Sequence, residues 1–168
     1  MSETDGQPMR WANYVMKCKS LNDGNISCLE FAVALAGFNH LNYFKYSTIF
    51  RCGWKSKDGK KSVYHVLPII RTPKYWIVVN YIPEFNDLTT LDIQDYNYEE
   101  NDDGLCDAAK SFTDYFLPKM SEYYGTYKHK RNDMPMIQIV KQHQFEEFIR
   151  EFEGKKMSQT EVLKELFG

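Results

Sequence analysis

The fold depends most on residues 27–36, SCLEFAVALA, in which a polar residue precedes an apolar run. Ser27 followed three residues later by Glu30 has the pattern of a capping box, which predicts a helix whose first residue is Cys28 and which ends near Gly37. Unpaired backbone N–H groups and the helix dipole at that end favour thiolate over thiol. Cys28 is therefore a candidate nucleophile, and the alternative is a small core residue on a buried helix.

Composition predicts a single domain over residues 1–168, with a core over about 10–90 and a helical extension over about 104–168. Apolar residues make up 43% of the chain, and the net charge of −2 comes without a basic block, which argues against nucleic-acid binding. The polar N-terminus and the absence of a long apolar run predict no signal peptide, no membrane association and a cytoplasmic location. Four widely spaced cysteines predict reduced thiols rather than a zinc site.

Segments rich in β-branched and aromatic residues predict three antiparallel strands after the helix. They are Tyr46–Trp54, Lys61–Ile70 and Tyr75–Ile82. Beyond a surface loop at Asp92–Asp103, apolar residues three or four apart predict a helix over Gly104–Tyr124 that Pro118 kinks or ends. A fourth strand and two short amphipathic helices follow at Met136–Lys141, Gln144–Glu153 and Ser158–Phe167. The predicted fold class is α+β, with a buried Cys-bearing helix packed on an antiparallel sheet and helices toward the C-terminus.

Pairing arithmetic brings a histidine and an asparagine together. In a symmetric hairpin centred on Thr72-Pro73 the paired residue numbers sum to 145, which places His65 opposite Asn80. Asn80 would then accept a hydrogen bond from one imidazole nitrogen and leave the other free for a thiol. A bulge at Pro68 would instead put the two side chains on opposite faces.

The preceding hairpin supplies a rival thiol. Centred on Asp58-Gly59, it pairs residues whose numbers sum to 117, so that Cys52 lies opposite His65 on the other side. A cysteine in the middle of a strand lacks the helix N-terminus that favours thiolate at Cys28. Cys28 is therefore the preferred nucleophile, and Asp87 and Asp92 remain alternatives to the asparagine as the orienting group.

In order and spacing these residues resemble the transglutaminase-like core of the papain-like thiol hydrolases. The resemblance rests on Cys28, Arg51-Cys52-Gly53-Trp54, His65 and Trp76-Ile77-Val78-Val79-Asn80. It covers about residues 20–85, roughly half of the chain. Two features depart from the family pattern: Val66-Leu67 follow His65 where a small and an aromatic residue are usual, and Asn80 replaces an aspartate, as in the papain branch. The resemblance implies a papain-like or transglutaminase-like fold.

These residues together predict a thiol-dependent hydrolysis or acyl transfer at an amide or isopeptide bond. Cys28 is the predicted nucleophile, His65 the base and Asn80 the group that orients it. Asn22 and Asn25 are candidate oxyanion donors, or else turn residues. The resemblance implies a protein or peptide substrate, and the mechanism needs no metal or organic cofactor. Two alternatives stay open: a catalytically inactive relative that acts as a protein-binding or inhibitory module, and an unrelated aromatic-rich interaction domain.

Overall fold

The computed structural model describes residues 27–43, 46–55, 62–83, 91–123, 134–152 and 158–168. These segments form four helices, α1 (Cys28–Tyr43), α2 (Asp102–Tyr123), α3 (Gln142–Phe152) and α4 (Gln159–Phe167). They also form five strands, β1 (Ser47–Lys55), β2 (Ser62–Arg71), β3 (Trp76–Asn80), β4 (Asp92–Tyr96) and β5 (Met134–Ile139). Within the described segments, no helix has both the length and the apolar character needed to cross a membrane.

The five strands form one antiparallel sheet in the order β4-β3-β2-β1-β5. β1 and β2 pair from Ser47↔Ile70 to Lys55↔Ser62, which confirms the predicted register of the first hairpin. β5 pairs with the other side of β1, so a strand from the C-terminal part of the chain completes the sheet. The predicted α+β class with an antiparallel sheet is therefore confirmed.

Helices cover both faces of the sheet. The α1-side core joins α1, α3 and α4 to one face, and its members include Ala32, Ile49, Val66, Phe145 and Leu166. The α2-side core joins α2 to the other face, and its members include Phe50, Leu67, Trp76, Phe112 and Phe116. Because successive side chains of a strand point to opposite faces, β1 and β2 contribute alternately to the two cores. The result is a three-layer arrangement with the sheet in the middle.

Helix α1 continues past the predicted end at Gly37 and reaches Tyr43. A glycine ends a helix mainly by adopting a left-handed conformation, and Gly168 is the only glycine with positive φ in the described part of the chain. The last turns of α1 are tied to the sheet instead, because Asn39 Nδ2 donates a hydrogen bond to Ser47 Oγ on β1. Tertiary contact, rather than the glycine, therefore sets the length of this helix.

Helix α2 likewise continues through Pro118, where a kink or an end was predicted. A proline removes one backbone donor from a helix. Phe116 and Met120, on either side of it, are fully buried in the α2-side core. Packing of these two side chains offsets the missing hydrogen bond, so the helix runs on to Tyr123.

The loop predicted over Asp92–Asp103 is wrong in its first part. Residues Asp92–Tyr96 form β4, and all five of them pair with β3. Exposure alternates along the strand: Ile93 and Asp95 are exposed, and Asp92, Gln94 and Tyr96 are partly buried. The sequence did not predict this strand because its residues are mostly polar, whereas β-branched and aromatic residues are the ones typical of strands.

Candidate functional site

The start of α1 has the predicted capping box. Ser27 Oγ accepts a hydrogen bond from the backbone N–H of Glu30 at 3.1 Å, and Glu30 Oε1 accepts one from the backbone N–H of Ser27 at 3.2 Å. Cys28 follows as the first residue of the 16-residue helix and is partly buried against the α1-side core. The thiol therefore lies at the positive end of the helix dipole, as the sequence predicts.

Glu30, two residues after Cys28 in α1, is buried. Burial raises the pKa of its carboxyl, while the hydrogen bonds with Ser27 act in the opposite direction. Its second oxygen, Oε2, has no hydrogen-bond partner in the described part of the chain. The hydrogen bond that Glu30 Oε1 accepts from the Ser27 backbone N–H offsets part of the free energy needed to bury the carboxyl, so we interpret Glu30 as a structural part of the cap.

His65 on β2 and Asn80 on β3 make the predicted contact. His65 Nε2 donates to Asn80 Oδ1 at 2.7 Å, and the two side chains are only 1% and 2% exposed. The register that brings them together differs from the predicted one, since the pair Ile69↔Val78 gives residue numbers that sum to 147. This change moves Asn80 by two residues from the position opposite His65, and an even shift keeps both side chains on the same face.

The turn between β2 and β3 explains the difference in register. The Thr72 N–H donates to the Tyr75 carbonyl at 3.0 Å, so Pro73 and Lys74 are the two central turn residues. Proline favours the first central position of such a turn and is disfavoured at the second, which is where the predicted centre had put it. The turn preference of Pro73 therefore sets the pairing of the two strands.

The environment of His65 keeps its imidazole neutral. Burial lowers the pKa of His65 to about 4, and the hydrogen bond with Asn80 opposes this effect. The Phe116 ring packs against it, with the two ring centroids 5.4 Å apart. Its Nδ1 is buried and has no hydrogen-bond partner in the described part of the chain. A neutral imidazole is the protonation state that a base requires, but this nitrogen is shielded from solvent and substrate.

The structure places Cys28 and His65 on opposite faces of the sheet. Cys28 packs against the α1-side core, to which Val66 of β2 also belongs. His65, one residue earlier on the same strand, points toward Phe116 in the α2-side core. Alternation along β2 therefore separates the thiol from the imidazole. The predicted arrangement of Cys28, His65 and Asn80 as a triad is not assembled, and only the last two are brought together.

Cys52 is the thiol on the same face as His65. The two residues are directly paired across β1 and β2, as predicted for the rival thiol. Cys52 is fully buried, and burial raises the pKa of its thiol to about 12, while a hydrogen bond with Thr113 opposes the shift. A thiol that stays protonated beside a neutral imidazole has no nucleophilic form at neutral pH, so Cys52 acts as a core residue.

Of the remaining predicted site residues, only Asp92 lies in the part of the chain that the structure describes. Asn22, Asn25 and Asp87 lie outside the described residues. Asp92 accepts hydrogen bonds from the Tyr115 hydroxyl at 2.8 Å and from Gln94 Nε2 at 2.7 Å, which links β4 to α2. Asp92 therefore joins two elements of the fold rather than orienting the imidazole of β2.

Several residues that carry the family resemblance have packing roles. A side chain at Gly53 would overlap the backbone carbonyl of Val63 across the hairpin. Trp76 is buried, and its Nε1 donates to the Glu99 carbonyl at 2.9 Å. Arg51 stacks between two aromatic rings, each 4.9 Å from its guanidinium carbon. These packing roles account for Gly53, Trp76 and Arg51 without a part for them in catalysis.

A second feature of the molecule is a strong concentration of negative charge. Residues 92–114 contain eight carboxylates and one lysine, a formal charge of −7, whereas the whole chain has a net charge of −2. Seven of these carboxylates are exposed, on β4, on the connection to α2 and on the first half of α2. They are Asp95, Glu99, Glu100, Asp102, Asp103, Asp107 and Asp114, and this set of exposed carboxylates is named the acidic surface hereafter. Asp95 lies on the face of β4 opposite to Asp92, which contacts α2, so the set occupies both sides of this edge of the sheet. The sequence already contains this concentration of negative charge, but the prediction of a surface loop over Asp92–Asp103 drew no function from it.

Apolar side chains are exposed within the acidic surface. Ile93 is 54% exposed and Tyr98 is 37% exposed. Tyr98 is held on two sides, because its hydroxyl shares a hydrogen bond with Ser111 Oγ at 2.8 Å and its carbonyl accepts one from Arg71 Nη1 at 2.9 Å. The acidic surface is thus charged, partly apolar and fixed in place by the fold.

Comparisons with known proteins identify no relative: no family model, curated protein or solved structure matches this chain. The likeness to papain-like thiol hydrolases therefore stays a prediction from the residues quoted above. Among the described residues, no group of three or more His, Cys, Asp or Glu side chains is arranged to hold a metal ion.

Proposed function

We propose that this chain is a protein-binding domain that recognises a basic partner through the acidic surface and carries out no chemistry of its own. The observation that carries the proposal is the charge of −7 between Asp92 and Asp114 in a chain whose net charge is −2. The rest of the chain is correspondingly basic on balance. Such segregation indicates a surface suited to a partner of opposite charge.

The separation of the predicted triad residues supports a non-catalytic role. Nucleophilic catalysis requires a thiol and a base within hydrogen-bond reach of each other. Cys28 packs against the core on one face of the sheet and His65 contacts the core on the other face, where its imidazole is fully buried. This geometry favours the alternative of a binding module over that of a thiol hydrolase.

Electrostatics favours a basic protein over other macromolecules as the partner. Like charges packed on one surface repel each other, and a basic partner relieves this repulsion while steering the encounter. Nucleic acid would bring further negative charge and be repelled. The exposed Tyr98 and Ile93 add apolar area that a partner protein can remove from water, and tyrosine is enriched in protein interfaces.

Binding of a simple basic probe tests this function. The probe is a fluorescein-labelled twelve-residue peptide of alternating lysine and valine, with the glutamate and valine peptide as its charge control, and the readout is fluorescence anisotropy at low and moderate salt. The double variant Asp95→Lys, Asp103→Lys should bind the basic probe about tenfold or more weakly than the parent chain. Glu147→Lys, Glu151→Lys is the matched control, because it makes the same charge change on exposed residues of α3 and should bind nearly as well as the parent.

Two results would overturn the proposal. One is no binding of the basic probe at low salt, and the other is equal weakening by the two double variants, which would indicate general attraction to net charge. The affinity for the basic probe should fall as the salt concentration rises. Loss of this salt dependence only in the variant with Asp95 and Asp103 replaced supports the acidic surface as the binding site.

Thiol chemistry at Cys28 is the second candidate function, and the capping box beside this partly exposed cysteine favours it. Steady-state hydrolysis of p-nitrophenyl acetate by the parent chain, Cys28→Ser and His65→Gln distinguishes the two candidates. Turnover that both substitutions abolish would establish a thiol enzyme. A single stoichiometric acylation that Cys28→Ser alone removes indicates an exposed thiol without catalysis.

A further inference from the structure

We infer that the partner enters as an extended basic segment that adds a further strand to the sheet beside β4. The inference rests on the proposed function and deepens it, since it specifies how the acidic surface takes its partner. It is carried by the position of β4 in the sheet, by the charges along that strand and by the two side chains that it exposes.

β4 is the outermost strand on one side of the sheet. It pairs with β3 from Trp76↔Tyr96 to Asn80↔Asp92, and no other strand in the described segments pairs with its second side. In an antiparallel ladder the backbone groups of alternate residues point to each side. Within the described segments, the outer side of β4 therefore presents N–H and C=O groups that another strand can pair with.

β4 carries only part of the protection that edge strands usually have. Lysine, proline and bulges commonly prevent an edge from pairing with another chain. The sequence of β4, DIQDY, contains neither lysine nor proline, and its pairing with β3 is continuous. Its charges are Asp92 and Asp95, so two copies meeting edge to edge would bring two acidic surfaces together. The same charges that disfavour self-association favour a basic strand.

The exposed side chains of β4 indicate the pattern that such a segment needs. Ile93 and Asp95 are two residues apart, lie on the same face and are both exposed. Residues directly opposite each other on paired strands have side chains in contact. A strand that places an apolar residue opposite Ile93 and a lysine or arginine opposite Asp95 fits both. Apolar and basic residues separated by one position are therefore the expected recognition pattern.

The edge is already in its binding conformation. Asp92 is hydrogen-bonded to Tyr115 at 2.8 Å, which fixes the start of β4 to α2. Beyond its other end, the Glu99 carbonyl accepts a hydrogen bond from Trp76 Nε1 at 2.9 Å. A pre-formed edge needs little ordering when a peptide adds to it, which lowers the entropic cost of binding.

Amide hydrogen exchange measured by NMR tests the mode of binding. The full ¹⁵N-labelled chain is compared with and without a twelve-residue peptide of alternating valine pairs and lysine pairs. In an extended strand such a peptide presents valine and lysine in turn along each face, as the expected recognition pattern requires. Outward-facing amides within Asp92–Tyr96 should exchange about tenfold or more slowly when the peptide is bound, because they acquire hydrogen-bond partners. Amides of α2 should change little.

A pair of matched variants makes the test independent of amide assignment. Ile93→Lys places a cation on β4 and should weaken binding of the basic peptide by about tenfold. Ile137→Lys makes the same change at a 40% exposed isoleucine of β5, at the opposite edge of the sheet, and should leave the affinity within about twofold. Circular dichroism of both variants checks that each is folded.

The outcomes separate the mode of binding from the function itself. If the peptide binds but Ile93→Lys and Ile137→Lys behave alike and the β4 amides are unprotected, strand addition is wrong while the acidic surface remains the binding site. If the peptide does not bind at all, both proposals fail. If the free chain dimerises and this alone protects the β4 amides, the edge belongs to a second copy and the inference is overturned.

Discussion

Cys28 and Cys52 lie on opposite sides of the same sheet, and their surroundings differ in the features that matter for thiol chemistry. Cys28 is partly exposed at a capped helix N-terminus, but His65 lies on the other face of the sheet. Cys52 lies opposite His65, but it is fully buried with a pKa raised to about 12. The comparison teaches that a helix N-terminus that favours thiolate and a neighbouring base are separate requirements for a reactive thiol. In this protein, the sheet lies between Cys28, which meets the first requirement, and His65, which could meet the second.

The comparison predicts its largest effect in alkylation. Cys52 should react with iodoacetamide only when the protein unfolds, whereas Cys28 reacts in the folded state, so at pH 7.5 the rates should differ by about a thousandfold or more. Mass spectrometry of peptides after timed quenching measures both rates in one sample. His65→Gln should change the Cys28 rate by less than about twofold, since the two side chains are on different faces. A marked slowing of Cys28 in that variant would restore the predicted dyad.

The next largest effect concerns the packing of the two faces. Phe112→Ala in the α2-side core should lower the free energy of unfolding by about 3–5 kcal/mol, because a fully buried aromatic side chain is replaced by a cavity. Phe145→Ala is the matched change in the α1-side core and should have a similar effect. Urea titrations followed by fluorescence and by circular dichroism check both values. Two separate transitions would mean that the faces do not unfold as one unit.

A smaller effect, confined to the α2 side, is expected from pH. The pKa of His65 is about 4 in the folded state and about 6.5 when unfolded, so above pH 6.5 the imidazole is neutral in both states. Between pH 6.5 and 4 the unfolded state binds a proton that the folded state does not, and the free energy of unfolding falls by about 3 kcal/mol. The measurement is urea denaturation at several pH values in this range.

Two variants isolate this titration. His65→Gln should show a weaker loss of stability toward acid than the parent chain, while His143→Gln, which replaces an exposed histidine, should follow the parent. The raised pKa of Glu30 acts in the opposite direction, but it is common to all three proteins and cancels in the comparison. Parallel pH profiles for the parent and His65→Gln would contradict a neutral buried imidazole.

The smallest effect tests the helix start on the α1 side. Ser27→Ala removes the acceptor for the Glu30 N–H and should lower stability by about 1 kcal/mol. Ser158→Ala removes the equivalent acceptor at α4, where Ser158 Oγ accepts from the Glu161 N–H at 3.2 Å. Thermal denaturation of both variants measures the losses. A loss of stability in Ser27→Ala well below that in Ser158→Ala would mean that packing alone stabilises the start of α1.

Predictions from sequence succeeded where the deciding interactions are local. The capping box at Ser27 and the N-cap at Ser158 depend on residues three positions apart, and both are present. The β1–β2 register was predicted from the turn signal at Asp58-Gly59, which lies outside the described residues, and the register itself is confirmed. The β2–β3 register was wrong by two, although the preference of Pro73 for the first central turn position was available in the sequence.

Predictions failed where distant packing decides. Gly37 and Pro118 have intrinsic tendencies to end a helix, and contacts with Ser47 and with the α2-side core outweigh them. β4 was missed because its polar residues become a strand only when β3 offers them a ladder. These are cases in which tertiary contacts override local propensity.

By itself the sequence determined that Cys28 begins a capped helix, that His65 and Asn80 share a face, and that a charge of −7 is concentrated in residues 92–114. Only the tertiary structure decided which face of the sheet each helix covers. Because side chains alternate along β2, His65 and Val66 point in opposite directions. This alternation does not determine that α1 lies over Val66 and α2 over His65. That choice depends on contacts between segments far apart in the chain, and it is what separates the thiol from the imidazole.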